Sequence, residues 1–94
     1  MNNKECIVRR KLKAYYLMKN KIKYLGLDDK DILKKVNFVD ECLNMFNTND
    51  KKFIIDVYIL DKNYSDINCS KSNFYYKKYK SYDTLINMLS DIKW

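Results

Sequence analysis

The sequence predicts a small all-α domain, and three observations support that fold class. The chain contains no proline and a single glycine, whereas domains built from short strands need such residues repeatedly at their turns. Apolar residues recur at helical spacing along most of its length, and residues that can cap a helix precede several of these runs. With 94 residues, of which 47% are hydrophobic, the chain can bury one small core, so residues 1–94 are predicted to form a single domain.

A long N-terminal helix is predicted over Lys4–Leu25, and Gly26, the only glycine, is predicted to end it, so that it occupies residues 1–26. Its apolar side chains recur at heptad spacing and form about three heptads of a seam, which Lys11 interrupts. The seam consists of Val8, Tyr15, Met18, Ile22 and Leu25, with Leu12 and Ala14 adjacent. This pattern indicates either a helix packed on its own domain or the interface of a homodimer.

The next region is predicted to form two helices. Asp28 or Asp29 is suited to cap a short helix that breaks or bends around Asn37, and another helix is predicted from Val39. The apolar positions are Ile32, Leu33 and Val36 in the first, and Val39, Cys42, Leu43 and Phe46 in the second.

A further helix is predicted within residues 48–60, capped by Thr48 or Asn49. Residues 51–60 are rich in β-branched and aromatic side chains, which also suits a strand. A helix is favoured because Asp56 would interrupt a buried strand and no partner strand is visible. The predicted buried side consists of Phe53, Ile54, Val57, Tyr58 and Leu60.

The last helix is predicted to begin at Ser70, whose hydroxyl can accept a hydrogen bond from a free backbone N–H group, and to continue toward Trp94. Its core stripe consists of Phe74, Ser81, Leu85 and Met88, with Tyr75, Tyr82, Ile86 and Leu89 beside it. Its outer face consists of Asn73, Tyr76, Lys77, Lys80 and Thr84. No carboxylate precedes Asp83 in this helix, and Trp94 either completes the core contact or is exposed.

The net charge of +7, from 19 Lys and Arg against 12 Asp and Glu, indicates a polyanionic partner, nucleic acid before anionic membrane. No stretch approaches the roughly 18 apolar residues of a membrane span, and the N-terminus does not resemble a signal peptide. We therefore predict a cytoplasmic protein without a membrane partner. Arg9 and Arg10 in the basic run 8–13 are candidate contacts to a nucleic-acid backbone, although a solvated face explains the run equally well.

No pattern predicts an enzyme, a cofactor or a metal site. The chain contains no histidine, and its three cysteines, Cys6, Cys42 and Cys69, are too far apart for a zinc site or a disulfide framework. Asp61, Asn63 and Ser65 alternate as in a calcium loop, but Asp66 and Ser72 occupy the positions that require glycine and glutamate.

The outer face of the last helix suits a DNA groove, although a solvated lysine-rich face would have the same composition. Free N–H groups at a helix N-terminus attract phosphate, and asparagine can contact an adenine edge with two hydrogen bonds. The run SKSNFY at 70–75, with Ser81 and Leu85 behind it, resembles the recognition helix of helix-turn-helix regulators of the sigma-factor region 4 type. In texture it resembles small phage and low-GC bacterial transcriptional regulators of the ArpU and RinA kind.

This resemblance covers residues 39–94 and implies a helix-turn-helix-like C-terminal half that binds double-stranded DNA. We predict that Ser70, Lys71 and Ser72 anchor phosphates, that Asn73, Tyr76 and Lys77 face base edges, and that Lys78 and Lys80 hold the flanking backbone. The segment 61–69 departs from the family pattern, because it is about one helical turn shorter and has Asn68 where glycine usually stands. We expect Asn68 to adopt the left-handed conformation, and Tyr64 and Ile67 to pack inward from a single turn.

Two other functions remain open at this point. The shortened segment and the N-terminal seam suit a non-catalytic helical adaptor, for example one bound to RNA polymerase. The many tyrosines suit stacking on the unpaired bases of RNA.

Overall fold

The computed structural model describes residues 3–93, and within them it contains helices and no strands. Helix α1 spans Asn3–Leu25, α2 spans Lys30–Asn44, and α3 spans Thr48–Ile54 and continues into a π-helical turn at Ile55–Ile59. Helix α4 spans Lys71–Met88. The predicted all-α class is confirmed, as is the choice of helix over strand for residues 51–60.

One hydrophobic core joins all of these elements, because α1 packs against α2, α4 and the π-helical turn. Val8 and Tyr15 of the seam and the adjacent Leu12 are buried in this core, and Met18 and Ile22 pack against it, whereas Leu25 is 77% exposed. The N-terminal part of the seam therefore packs on its own domain. A homodimer through the remaining part of α1 stays a prediction.

The predicted end of α1 is confirmed, since Gly26 has a φ of +66°, a conformation that glycine adopts without strain. Asp29 caps α2 by accepting hydrogen bonds from the N–H groups of Asp31 and Ile32. The predicted break around Asn37 is wrong, because α2 is continuous. Asn37 is exposed, and burial of the neighbouring apolar positions of α2 outweighs the modest helix penalty of one asparagine.

Two details of α3 differ from the prediction. Asn47, and not Thr48 or Asn49, caps α3, because its side chain accepts a hydrogen bond from the N–H of Asp50. Leu60 is exposed and Ile59 is buried instead. The hydrogen bond from the Leu60 N–H to the Ile55 carbonyl (3.1 Å) spans five residues, so the helix is locally wider and the buried side shifts by one position.

A single turn at residues 64–68 connects α3 to α4, and it is closed by the Cys69 N–H donating to the Tyr64 carbonyl at 3.0 Å. Asn68 has a φ of 53° and therefore adopts the left-handed conformation, as predicted. Tyr64 and Ile67 pack against the core, also as predicted. A full helix before α4 is absent from residues 61–69, so the chain reaches α4 through this turn alone.

Helix α4 begins where predicted, since the Ser70 hydroxyl accepts a hydrogen bond from the Asn73 N–H at 3.3 Å. Its predicted continuation toward the C-terminus is wrong, because it ends at Met88. The Ser90 hydroxyl donates to the Asn87 carbonyl and Lys11 donates to the Leu89 carbonyl, so these groups have partners without a further helical turn. Trp94 lies outside the described residues.

Replacing Ser70 by alanine is expected to lower the free energy of unfolding by about 1 kcal/mol, because the Asn73 N–H loses its acceptor. Urea unfolding followed by circular dichroism measures the change. Ser72→Ala is the matched control, since Ser72 is exposed one position inside the helix and we expect it to change stability little. Equal losses in both variants would contradict the capping role of Ser70.

Candidate nucleic-acid interface

The outer side of α4 is exposed over most of its length. We call Ser72, Asn73, Tyr76, Lys77 and Lys80 the α4 face; all five side chains are exposed, and Thr84 continues the same side. Asp83, the first acidic residue of the helix, is ion-paired with Lys4 of α1 at 3.2 Å. The α4 face therefore has no carboxylate of its own to neutralise its two lysines.

The N-terminal end of α4 adds backbone donors to this surface. The first N–H groups of a helix have no acceptor within it and carry the positive end of the helix dipole. Ser70 caps the helix with its hydroxyl, so that oxygen is already engaged by the Asn73 N–H, while Lys71 and Ser72 are exposed beside it. An anion at this end would meet Lys71 and free N–H groups rather than the Ser70 hydroxyl.

A groove of about 300 Å³ separates the α4 face from α3. Asp50, Phe53 and Ile54 of α3 line it from one side, and Tyr76, Lys77 and Lys80 of α4 line it from the other. The Lys77 ammonium lies 5.9 Å from the Phe53 ring centroid, and that of Lys80 lies 5.3 Å from the Tyr76 ring centroid. Aromatic rings thus hold both cations at the surface, where they remain accessible.

Lys78 lies away from the α4 face. Its ammonium is ion-paired with Glu5 of α1 at 2.6 Å, and the side chains of Lys78 and Glu5 are only 16% and 7% exposed. The ammonium also lies over the rings of Phe74 and Tyr75. The predicted backbone contact by Lys78 is therefore replaced by an internal one, which the four-residue spacing from the buried Phe74 could have indicated.

Arg9 is also committed to the fold. Its guanidinium donates to the Val57 carbonyl at 2.8 Å and to Asp61 at 2.6 Å, and it lies 5.5 Å from the Tyr58 ring centroid. Lys13 donates to the same Asp61 carboxylate at 2.5 Å. Arg10 is exposed, but it lies near the C-terminal end of α4, apart from the α4 face.

We expect Asp61→Asn to lower the free energy of unfolding at neutral pH by at most about 1 kcal/mol, because Asp61 is 54% exposed. The hydrogen bond from Lys13, with the charges of Lys13 and Arg9, holds the pKa of Asp61 below its usual value. The stabilisation is therefore complete above the normal carboxyl pKa and is lost as the pH falls through the lowered one. Urea unfolding at neutral pH and at about pH 2 should show a difference from wild type only at neutral pH. A loss that persists in acid would indicate a cause other than charge.

Two exposed tyrosines beside the α4 face are not among the predicted site residues. Tyr75 is 49% exposed and Tyr79 is 58% exposed, next to Tyr76 at 60%. Tyr75 is predicted to lie beside the core stripe, but it is exposed, and its ring packs edge-to-face with that of Phe74 at a centroid distance of 5.3 Å. The four-residue spacing of Tyr75 and Tyr79 places both on one flank of α4, so that flank presents aromatic surface to a partner.

Two tyrosines with a raised pKa, Tyr15 and Tyr58, form hydrogen bonds that stabilise the fold. The Tyr58 hydroxyl donates a hydrogen bond to the Lys78 carbonyl at 2.8 Å and is also hydrogen-bonded to the Ser81 hydroxyl. Burial strongly raises the pKa of Tyr58. Burial and the hydrogen bond to Asp40 raise the pKa of Tyr15 to about 12. Within residues 3–93 no cluster of three histidine, cysteine or acidic side chains could hold a metal ion.

Comparisons with known proteins add no family to these observations. No protein-family model matches the chain, and no curated protein or solved structure is significantly similar to it. No helix in the described part of the chain is long and apolar enough to cross a membrane. Fold and surface together define an all-α protein with a cationic, tyrosine-flanked helix face.

Proposed function

We propose that the protein is a DNA-binding transcriptional regulator that lays the α4 face in the major groove of duplex DNA. The observation that carries this proposal is the exposure of Asn73, Tyr76, Lys77 and Lys80 on one carboxylate-free side of α4. The net charge of +7 would draw the protein to DNA, and the resemblance of α4 to sigma-region-4 recognition helices adds support.

The proposed contacts differ along the helix. Lys71, Ser72 and the free N–H groups near them bind phosphate at the N-terminal end. Asn73 and Lys77 reach base edges, and Tyr76 packs against the wall of the DNA groove. Lys80, farther along α4, contacts the DNA backbone. Since only one turn precedes α4, the helix enters the groove without a separate first helix of a helix-turn-helix motif.

Binding of the purified protein to labelled random duplex DNA at two salt concentrations tests the proposal. We expect affinity to fall steeply with salt, because each neutralised phosphate releases counterions. Lys77→Glu is expected to weaken binding by about tenfold or more, and Asn73→Ala to reduce discrimination between sequences.

Lys23→Glu supplies the matched control, because it changes the net charge equally but lies at the C-terminal end of α1, where the Lys23 ammonium contacts the Tyr24 ring. A weaker effect of Lys23→Glu than of Lys77→Glu would support contact through α4. Equal effects of the two reversals, or no binding at low salt by the folded protein, would overturn the proposal.

A second candidate function is binding of single-stranded RNA. The three exposed tyrosines of α4, Tyr75, Tyr76 and Tyr79, favour it, because aromatic rings can stack on unpaired bases. Competition between a single-stranded RNA and a duplex DNA of equal length separates the two functions. Preference for the RNA, with loss on Tyr79→Ala, would support this second candidate.

A further inference from the structure

A second cationic surface lies at the opposite end of α4 from the proposed phosphate contacts. There, a cleft of about 250 Å³ separates α1 from the segment that follows α4. Arg10 and Lys11 line it from α1, and Ser90, Ile92 and Lys93 line it from the segment after α4. Three of these five side chains are cationic and none is acidic, and the buried Ile92 forms an apolar part of the wall.

The backbone around this cleft is held in place by two other interactions. The Lys11 ammonium donates to the Leu89 carbonyl at 2.6 Å, just beyond the last residue of α4. Lys35 of α2 donates to the Lys93 carbonyl at 2.9 Å. Arg10 and Lys93 are therefore carried by segments that the core and these hydrogen bonds fix, although both side chains are exposed.

The positive charge of the cleft is only partly compensated. Within the described residues 3–93, no carboxylate lies within ion-pair distance of the Arg10 or Lys93 side chains. Asp91 is near enough to act on Lys11, yet burial and the charge of Arg10 together hold the pKa of Lys11 below its usual value. Among the described residues around the cleft, the cations Arg10, Lys11 and Lys93 therefore outnumber the carboxylates.

We propose that this cleft binds a phosphate group through Arg10, Lys11 and Lys93. The planar guanidinium of Arg10 can donate two parallel hydrogen bonds to a phosphate, and the lysines supply point charges with their remaining N–H donors. The Ser90 hydroxyl donates its hydrogen bond to the Asn87 carbonyl, so Ser90 lines the cleft without donating to the phosphate.

This site is spatially separate from the α4 face. Helix α4 has 18 residues, so its two ends lie about 27 Å apart at 1.5 Å per residue. The phosphate could belong to a nucleic-acid backbone, in which case the cleft extends the interface proposed above, or to a small phosphorylated molecule. Both sources have the same chemistry, and the experiment distinguishes them.

Titration of the 15N-labelled protein with pyrophosphate, followed by amide chemical shifts, tests the site. We expect saturable shifts at residues 10–11 and 89–93. Arg10→Gln is expected to weaken the binding by about tenfold, because two charge-assisted hydrogen bonds are lost. Lys93→Gln should weaken it less, and Lys23→Gln, about 20 Å along α1 from Arg10, should leave it unchanged. Lys11 is not varied, because its bond to Leu89 supports the fold.

The same variants in the duplex-DNA assay identify the source of the phosphate. A lower DNA affinity of Arg10→Gln, with a salt slope reduced by about one, would support a backbone phosphate. Unchanged DNA affinity together with lost pyrophosphate binding would support a small phosphorylated ligand. Shifts that do not saturate, or that are equal in Arg10→Gln and Lys23→Gln, would overturn the site. Failure of the α4 proposal is seen separately, as equal effects of Lys77→Glu and Lys23→Glu on DNA binding.

Discussion

Glu5→Leu is expected to lower the free energy of unfolding by about 3 kcal/mol, because it leaves the Lys78 ammonium largely buried without its carboxylate. The Glu5 carboxylate and the Lys78 ammonium are 2.6 Å apart, and this ion pair connects the first turn of α1 to the middle of α4. Both lie close to the core, so water can replace the lost partner only in part. Urea unfolding followed by circular dichroism measures the loss.

The double variant Glu5→Leu/Lys78→Met measures the interaction energy between the two side chains. Replacing both members of a buried ion pair by apolar residues is often neutral, so we expect the double variant to recover most of the stability lost in either single variant. Additive losses would contradict an energetic coupling between the two side chains. Lys80→Met is the control on the same helix, since Lys80 is exposed and should change stability little.

These variants also bear on function. The sequence predicts a contact between Lys78 and the DNA backbone, whereas the ion pair with Glu5 makes Lys78 a structural residue. The folded Lys78→Met protein should therefore bind DNA nearly as well as wild type, and Lys80→Met should bind less well. The reverse order would return Lys78 to the proposed interface.

Leu12→Ala is expected to lower the free energy of unfolding by about 2–5 kcal/mol, because it removes buried methyl groups and leaves a cavity. Leu12 is 0% exposed in the core, where α1 meets the other helices, whereas Leu17 on the same helix is 52% exposed. Leu17→Ala is thus a control with the same chemical change, and we expect it to alter stability by at most about 0.5 kcal/mol. Thermal or urea unfolding of both variants measures the difference.

A large loss of stability in Leu17→Ala would contradict this expectation. It would mean that a second surface covers the outer side of α1, away from the seam. Dependence of the unfolding midpoint on protein concentration would then confirm association. A small loss in Leu12→Ala would instead contradict the packing of α1 on its own domain.

The sequence by itself determined the features that depend on neighbouring residues. Ser70 precedes a run with helical spacing, and Asp29 is able to cap α2. Gly26, which lacks a Cβ, and Asn68 adopt the positive φ that these two residue types tolerate. Caps, left-handed residues and apolar periodicity act over a few residues, so they can be recognised without knowing the fold. The outward position of the α4 face follows from the same periodicity.

Only the tertiary structure decided which charged side chains remain available. Arg9 meets Asp61 across 52 positions of sequence, and Lys11 meets the Leu89 carbonyl across 78. No local pattern reveals such partners, because they are brought together only when the helices pack. Tertiary packing also kept α2 continuous through Asn37 and widened the end of α3, because burying apolar side chains outweighs the local preference of single residues.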